Sequence, residues 1–118
     1  MEAIVKISIL SLICCMLFSM PDALAQSAEK TETFKVYGNC NTCKRTIEES
    51  LKKKDGVLKK EWSPETKMLV VTYDTTKITL HQVKQKIADA GYDTDEVRAT
   101  DEAYKELHKC CQYDRPKK

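Results

Sequence analysis

Aromatic residues are scarce in this chain: one Trp, two Phe and five Tyr, or 7% of the residues. A base-stacking RNA platform needs aromatics on its central strands, and the strand-like segment "KMLVVTY" offers only Tyr73. A charge excess of either sign is also missing, since 20 Lys and Arg stand against 18 Asp and Glu, a net charge of +2. Basic clusters at Lys52 to Lys54 and at Lys59 and Lys60 suit a solvated helix end and a hairpin, so nucleic acid is excluded as a partner. Length is limited too, because 118 residues leave room for one modest core and one functional site of any size.

A long hydrophobic run is lacking as well. The apolar stretch of residues 7–20 holds fourteen residues, short of the roughly 20 that a bilayer span asks for. With Lys6 before it and Ala23-Leu24-Ala25 after it, residues 1–25 have the layout of an export signal cleaved before Gln26. That expectation implies a periplasmic or otherwise extracytoplasmic protein with no stable membrane insertion after cleavage. Cys14 and Cys15 fall inside the apolar run as filler; "SLICC" lacks the small residue expected before a lipid-modified Cys. Removing Lys6, Glu2 and Asp22 with the signal leaves 19 basic and 16 acidic side chains, a mature net charge of +3.

What remains is patterned. Residues 26–30 read as a flexible leader. In residues 31–36, Phe34 and Val36 alternate with Thr33 and Lys35, the period of a half-buried strand, and Gly38-Asn39 breaks it. From Thr42 to about Lys54, Cys43, Ile47 and Leu51 recur every fourth position, predicting a helix with one apolar stripe. Residues 57–63 and 67–73 read as strands joined by a hairpin at Pro64, Glu65 and Thr66. Thr79 is placed to cap a helix with Leu80, Val83, Ile87 and Ala90 on one stripe, ended by Gly91. Residues 92–99 supply a weaker fourth strand.

The order βαββαβ predicts an α+β, ferredoxin-like sandwich over residues 31–99, followed by a C-terminal helix and tail over residues 100–118. The added helix is expected over residues 101–111, with Asp101 and Glu102 in its first turn and a stripe of Ala103, Tyr104, Leu107 and Cys110 or Cys111. "MLVVTY" is apolar on both alternating sets, so this helix is expected to cover the sheet's open face. Its length of roughly 16 Å would return Cys110 and Cys111 to the loop end of the sheet.

The chemistry concentrates in "GNCNTC". A Cys-x-x-Cys at a loop-to-helix junction puts two sulfurs where unpaired N–H groups favour thiolate, and Lys44 and Arg45 add positive charge. Two adjacent thiolates repel unless a proton, a covalent bond or a cation resolves the conflict. A soft ion resolves it, with Cu(I) the first choice. A structural zinc site would need four ligands, and only one such pair is present. The rival reading is a thiol-disulfide oxidoreductase using the same pair, although "NCNTCK" lacks the aromatic and the Pro or Gly typical of thioredoxin-like sites.

The loop "GNCNTC", the element order, "DGV" at residues 55–57 and "ADAGYD" at residues 88–93 resemble the heavy-metal-associated domain family over residues 31–98. That family includes copper chaperones, domains of copper- and zinc-transporting ATPases, and periplasmic mercuric-ion binding proteins, which this layout resembles most. The resemblance implies Cys40 and Cys43 as metal ligands for Cu(I), Hg(II), Zn(II) or Cd(II), with Tyr92 shielding the ion and Lys44 beside it. It further implies a monomeric carrier, not an enzyme, passing its ion by thiolate exchange to a metal-transporting membrane protein or another metal-binding domain.

Two positions depart from the family pattern: Asn39 stands where Met is usual, and Lys60 where an apolar residue is usual. His108, Cys110 and Cys111 are open to three readings, a second soft-metal cluster, a disulfide or a packed helix end. His81 is expected in solvent, and Trp62 and Met68 in packing roles.

Overall fold

The computed structural model describes residues 28–118; the expected export signal and cleavage site lie outside the described residues. Three strands form an antiparallel sheet in the order β1-β3-β2, where β1 is Glu29–Lys35, β2 is Val57–Trp62 and β3 is Met68–Asp74. The central strand sets Leu69 opposite both Phe34 and Trp62, and Val57 opposite Tyr73. These inward residues meet Ile47 and Leu51 from the α1 side and Val83 and Ile87 from α2 in one core; α1 is Asn41–Glu49 and α2 is Leu80–Asp89. Each such fully buried aliphatic side chain stabilises the fold by about 1.5–3 kcal/mol.

Local chemistry sets the helix ends. At the start of α2, Thr79 Oγ1 accepts from the Gln82 N–H at 3.1 Å and Gln82 Oε1 accepts from the Thr79 N–H at 2.9 Å, a reciprocal capping box. Helix α1 stops at Glu49, earlier than the periodicity predicts. Side-chain donors meet the carbonyls around its end: Ser50 Oγ donates to Ile47 O, and the Lys60 ammonium donates to Leu51 O just beyond the helix. Lys60, on the edge strand β2, thus keeps its charged head on the turn that follows α1. A 3-10 turn, Lys53–Asp55, then closes on Gly56 at φ 106°.

The fourth strand is reduced to a single bridge between Val36 and Thr94. Pairing with the first strand begins, since Tyr37 N–H donates to Asp93 O and Asp95 N–H to Lys35 O. It stops because Thr94 Oγ1 accepts from the N–H groups of Glu96 and Val97, folding residues 94–97 into a turn. The architecture remains α+β and ferredoxin-like.

The expected eleven-residue C-terminal helix is also broken. Thr100 caps a short helix α3, Asp101–Lys105, and a 3-10 turn, Lys109–Cys111, follows. Between them the Gln112 side-chain amide donates to Lys105 O and Leu107 O, capturing carbonyls that a longer helix would use. Nor does this segment cover the open sheet face, where Val70 stays 43% exposed and Thr31 and Thr72 share an exposed hydroxyl contact at 2.8 Å. It packs at the end of α2 instead. Gly91, at φ 106°, has no side chain, and a Cβ there would meet Ala103 O at 2.8 Å and Leu107 Cδ2 at 3.0 Å. Among the described residues no helix is long and apolar enough to cross a membrane.

Candidate metal centre

The loop between β1 and α1 presents two sulfurs in unequal settings. Cys40 is the half-buried residue ahead of α1, in extended conformation at φ −140°. Hydrogen bonds from the backbone N–H groups of Cys43 and Thr42 hold its thiol below the ordinary range. Cys43, one turn into the helix, is fully buried, and its Sγ receives the Asn39 N–H at 3.4 Å. Gly38 permits this tight packing, because a Cβ there would lie 3.0 Å from the Trp62 ring and 3.3 Å from Cys43 Cβ. Trp62 is buried, with Nε1 donating to Val36 O at 3.0 Å.

The positive charge beside the loop comes from a residue the sequence reading missed. Lys44, expected beside the ion, spends its ammonium on Glu48, on Glu61 at 3.1 Å and on Trp62 O at 3.1 Å. Lys67 instead donates to Asn39 O at 3.2 Å, from a left-handed backbone conformation at φ 62° in the β2–β3 hairpin. Nothing in local sequence marks a hairpin lysine as a loop partner. His81 is exposed and lies 3.7 Å from Glu96, remote in role from any thiol.

Cys110 and Cys111 do reach this end of the fold, carried by the broken helix. The sulfurs of Cys40, Cys110 and Cys111 all lie within 4.8 Å of one another, and the two neighbouring sulfurs are 3.8 Å apart. The Asn39 amide donates to Cys110 O at 3.2 Å, so the residue that departs from the family pattern ties the loop to the C-terminal segment. Cys110 is exposed and Cys111 buried; burial, with Cys43 as neighbour, pushes the Cys111 thiol up to about 12. All four described cysteines are free thiols. His108, expected as a possible member, is exposed and outside the sulfur group.

Tyr92 lies beneath, fully buried, and its hydroxyl has no hydrogen-bond partner. Burial raises the phenol well above its usual range, and the sulfurs of Cys43 and Cys111 add to the shift. Tyr113 stacks on it at 5.8 Å between ring centroids. The Tyr113 hydroxyl accepts from Asp93 N–H at 2.7 Å and donates to Gly91 O at 2.9 Å. Arg115 grips the Asp93 carboxylate with two nitrogens at 2.9 Å and reaches Asp101 at 2.7 Å. The C-terminal thiols are therefore fixed by an anchor that no motif announced.

A small ferredoxin-like sandwich with a Cys-x-x-Cys at its first loop-to-helix junction defines a class of thiol-bearing domains. This chain belongs to the heavy-metal-associated domain family, whose model matches residues 33–93. It is 42% identical over 77 residues to a mercuric transport protein periplasmic component of Shewanella putrefaciens, covering 64% of this chain and 85% of that one. It is 41% identical over 64 residues to the copper chaperone CopZ of Staphylococcus saprophyticus, covering 53% and 94% respectively. The crystal structure of oxidized MerP from Ralstonia metallidurans CH34 is similar with TM-score 0.54 and 35% identity, over 58% of this chain and 96% of that one.

Proposed function

We propose that this protein is an extracytoplasmic carrier of a soft metal ion, which it takes up through Cys40 and Cys43 and passes on by thiolate exchange. The observation that carries the reading is the Cys40 thiol, half-exposed at a helix start and held toward thiolate by two backbone N–H groups. Thiolate ligands favour Cu(I) among common ions, and relatives named for copper and for mercury support Cu(I) or Hg(II) ahead of Zn(II) or Cd(II). The relative named as a periplasmic component supports the compartment.

Transfer needs no catalysis and no change of oxidation state. An incoming thiolate adds to the low-coordinate ion before one of the carrier's sulfurs leaves, so the ion never passes free through water. The fitting acceptor is a metal-transporting membrane protein or a second metal-binding domain, met by a monomeric carrier through its exposed loop. Equilibrium competition between the reduced protein and a strong Cu(I) chelator tests this. One ion per chain, lost in the Cys40→Ser, Cys43→Ser double variant, is the expected result; failure of the reduced wild type to compete for Cu(I) or Hg(II) rejects it.

A further inference from the structure

We propose that Cys110 and Cys111 are themselves cargo ligands, closing over an ion on Cys40 so that the C-terminal segment forms part of the metal centre. This rests on the reading of the loop as the cargo site. Three observations converge on it. The sulfurs of Cys40, Cys110 and Cys111 lie within 4.8 Å of one another, and a trigonal ion with metal–sulfur bonds of about 2.3 Å holds its sulfurs roughly 4 Å apart. The segment is fixed in place by Arg115 on Asp93, Tyr113 on Gly91 and Asp93, and the Asn39 amide on Cys110 O. Finally, the Tyr92 hydroxyl is buried and has no hydrogen-bond partner. A metal-bound thiolate there supplies one.

The C-terminal pair thus joins Cys40 in one three-sulfur centre, with the buried Cys43 beneath it as the sulfur that pairs with Cys40 when the C-terminal thiols are absent or displaced. On loading, Cys110 and Cys111 each form a sulfur–metal bond and release a proton to solvent; no atom is oxidised or reduced. On delivery, an acceptor thiolate bonds to the ion as the Cys110–metal bond breaks; further acceptor thiolates then replace Cys111 and Cys40, and the freed thiolates of Cys110 and Cys111 take protons back from solvent. Cys110 is the exposed sulfur of its pair, and hence the one displaced first. Three-fold sulfur coordination suits Cu(I) and Hg(II), and the Lys67 ammonium and the Asn39 amide offset part of the negative charge.

The test is sulfur counting by X-ray absorption on the Cu(I)-loaded protein, paired with chelator competition. Wild type is expected to show three sulfur neighbours. The Cys110→Ser, Cys111→Ala double variant is expected to show two, with affinity lowered by at least about tenfold. Cys110→Ser alone, at an exposed site that leaves the fold intact, is expected to weaken binding in the same direction. Two sulfurs in wild type with unchanged affinity in both variants overturns this inference and leaves the loop as the carrier site. Wild-type affinity in Cys40→Ser, Cys43→Ser overturns the loop reading and this inference with it.

Discussion

The two cysteine pairs solve the same placement problem in opposite ways. Each presents one accessible sulfur and one buried sulfur, Cys40 over Cys43 and Cys110 over Cys111. The loop pair is placed by its immediate neighbours: a helix start, the bare Gly38 and the adjoining Asn39 N–H. Its outer thiol is activated by backbone N–H groups. The C-terminal pair owes its place to remote contacts, above all Arg115 on Asp93, 22 residues apart. Its inner thiol is pushed up by burial, so an ion has to displace a proton held more tightly there than on the loop thiol, which is shifted the other way. Activation is local, whereas enclosure is long-range.

Changes at the remote anchor should have the largest effect. Arg115→Ala leaves the Asp93 carboxylate buried without its partner and should cost about 3–5 kcal/mol in chemical denaturation, while speeding alkylation of Cys111 far more than that of Cys40. The same pair carries a pH dependence. Burial alone would raise the Asp93 pKa, but the Arg115 guanidinium and the Ala99 N–H outweigh it and hold the carboxyl below its usual range. A depressed folded pKa contributes stability that is present above the unfolded value and lost as pH falls through the folded one. Wild type should therefore lose stability below about pH 4, and Arg115→Ala should lack that component.

The local side has its own breaking point. Gly38→Ala drives a methyl into the Trp62 ring and Cys43, and should cost about 1–3 kcal/mol while altering Cys40 reactivity more than Cys110 reactivity. Tyr113→Phe removes the hydroxyl that serves Gly91 and Asp93 and should cost about 1–3 kcal/mol, measured by thermal unfolding, with the loop undisturbed. Thr79→Ala removes the cap of α2 at about 1 kcal/mol and should leave both thiol pairs unchanged in alkylation rate. Val70→Thr, on the open sheet face, should shift stability by no more than about 0.5 kcal/mol; a larger loss would mean that this face is covered after all.

The same division explains what was legible beforehand. Strands β1 to β3, both main helices and the Cys-x-x-Cys junction rest on periodicity and spacing within a few residues, and the sequence pattern reads their existence and order but not their ends: Glu29 and Lys30, expected in a flexible leader, pair with Asp74 and Tyr73 in the sheet, and α1 stops at Glu49. The fourth strand was not legible, because one hydroxyl, Thr94 Oγ1, diverts its backbone donors into a turn. Lys44 looked like a partner of the thiols because it follows Cys43, yet two glutamates on α1 and β2 claim it. Asn39 looked like a simple departure from the family pattern; its purpose appears only when Cys110, 71 positions later, folds back to it. The path of the last eighteen residues depends on such distant pairs, which no local rule specifies.

The central claim is that Cys40 anchors the carried ion. Alkylation of the reduced protein with and without one equivalent of Cu(I), mapped residue by residue by mass spectrometry, tests it most directly. The expected result is that Cys40 reacts readily in the metal-free protein and is silenced on loading; a Cys40 that is alkylated equally fast in both would contradict it.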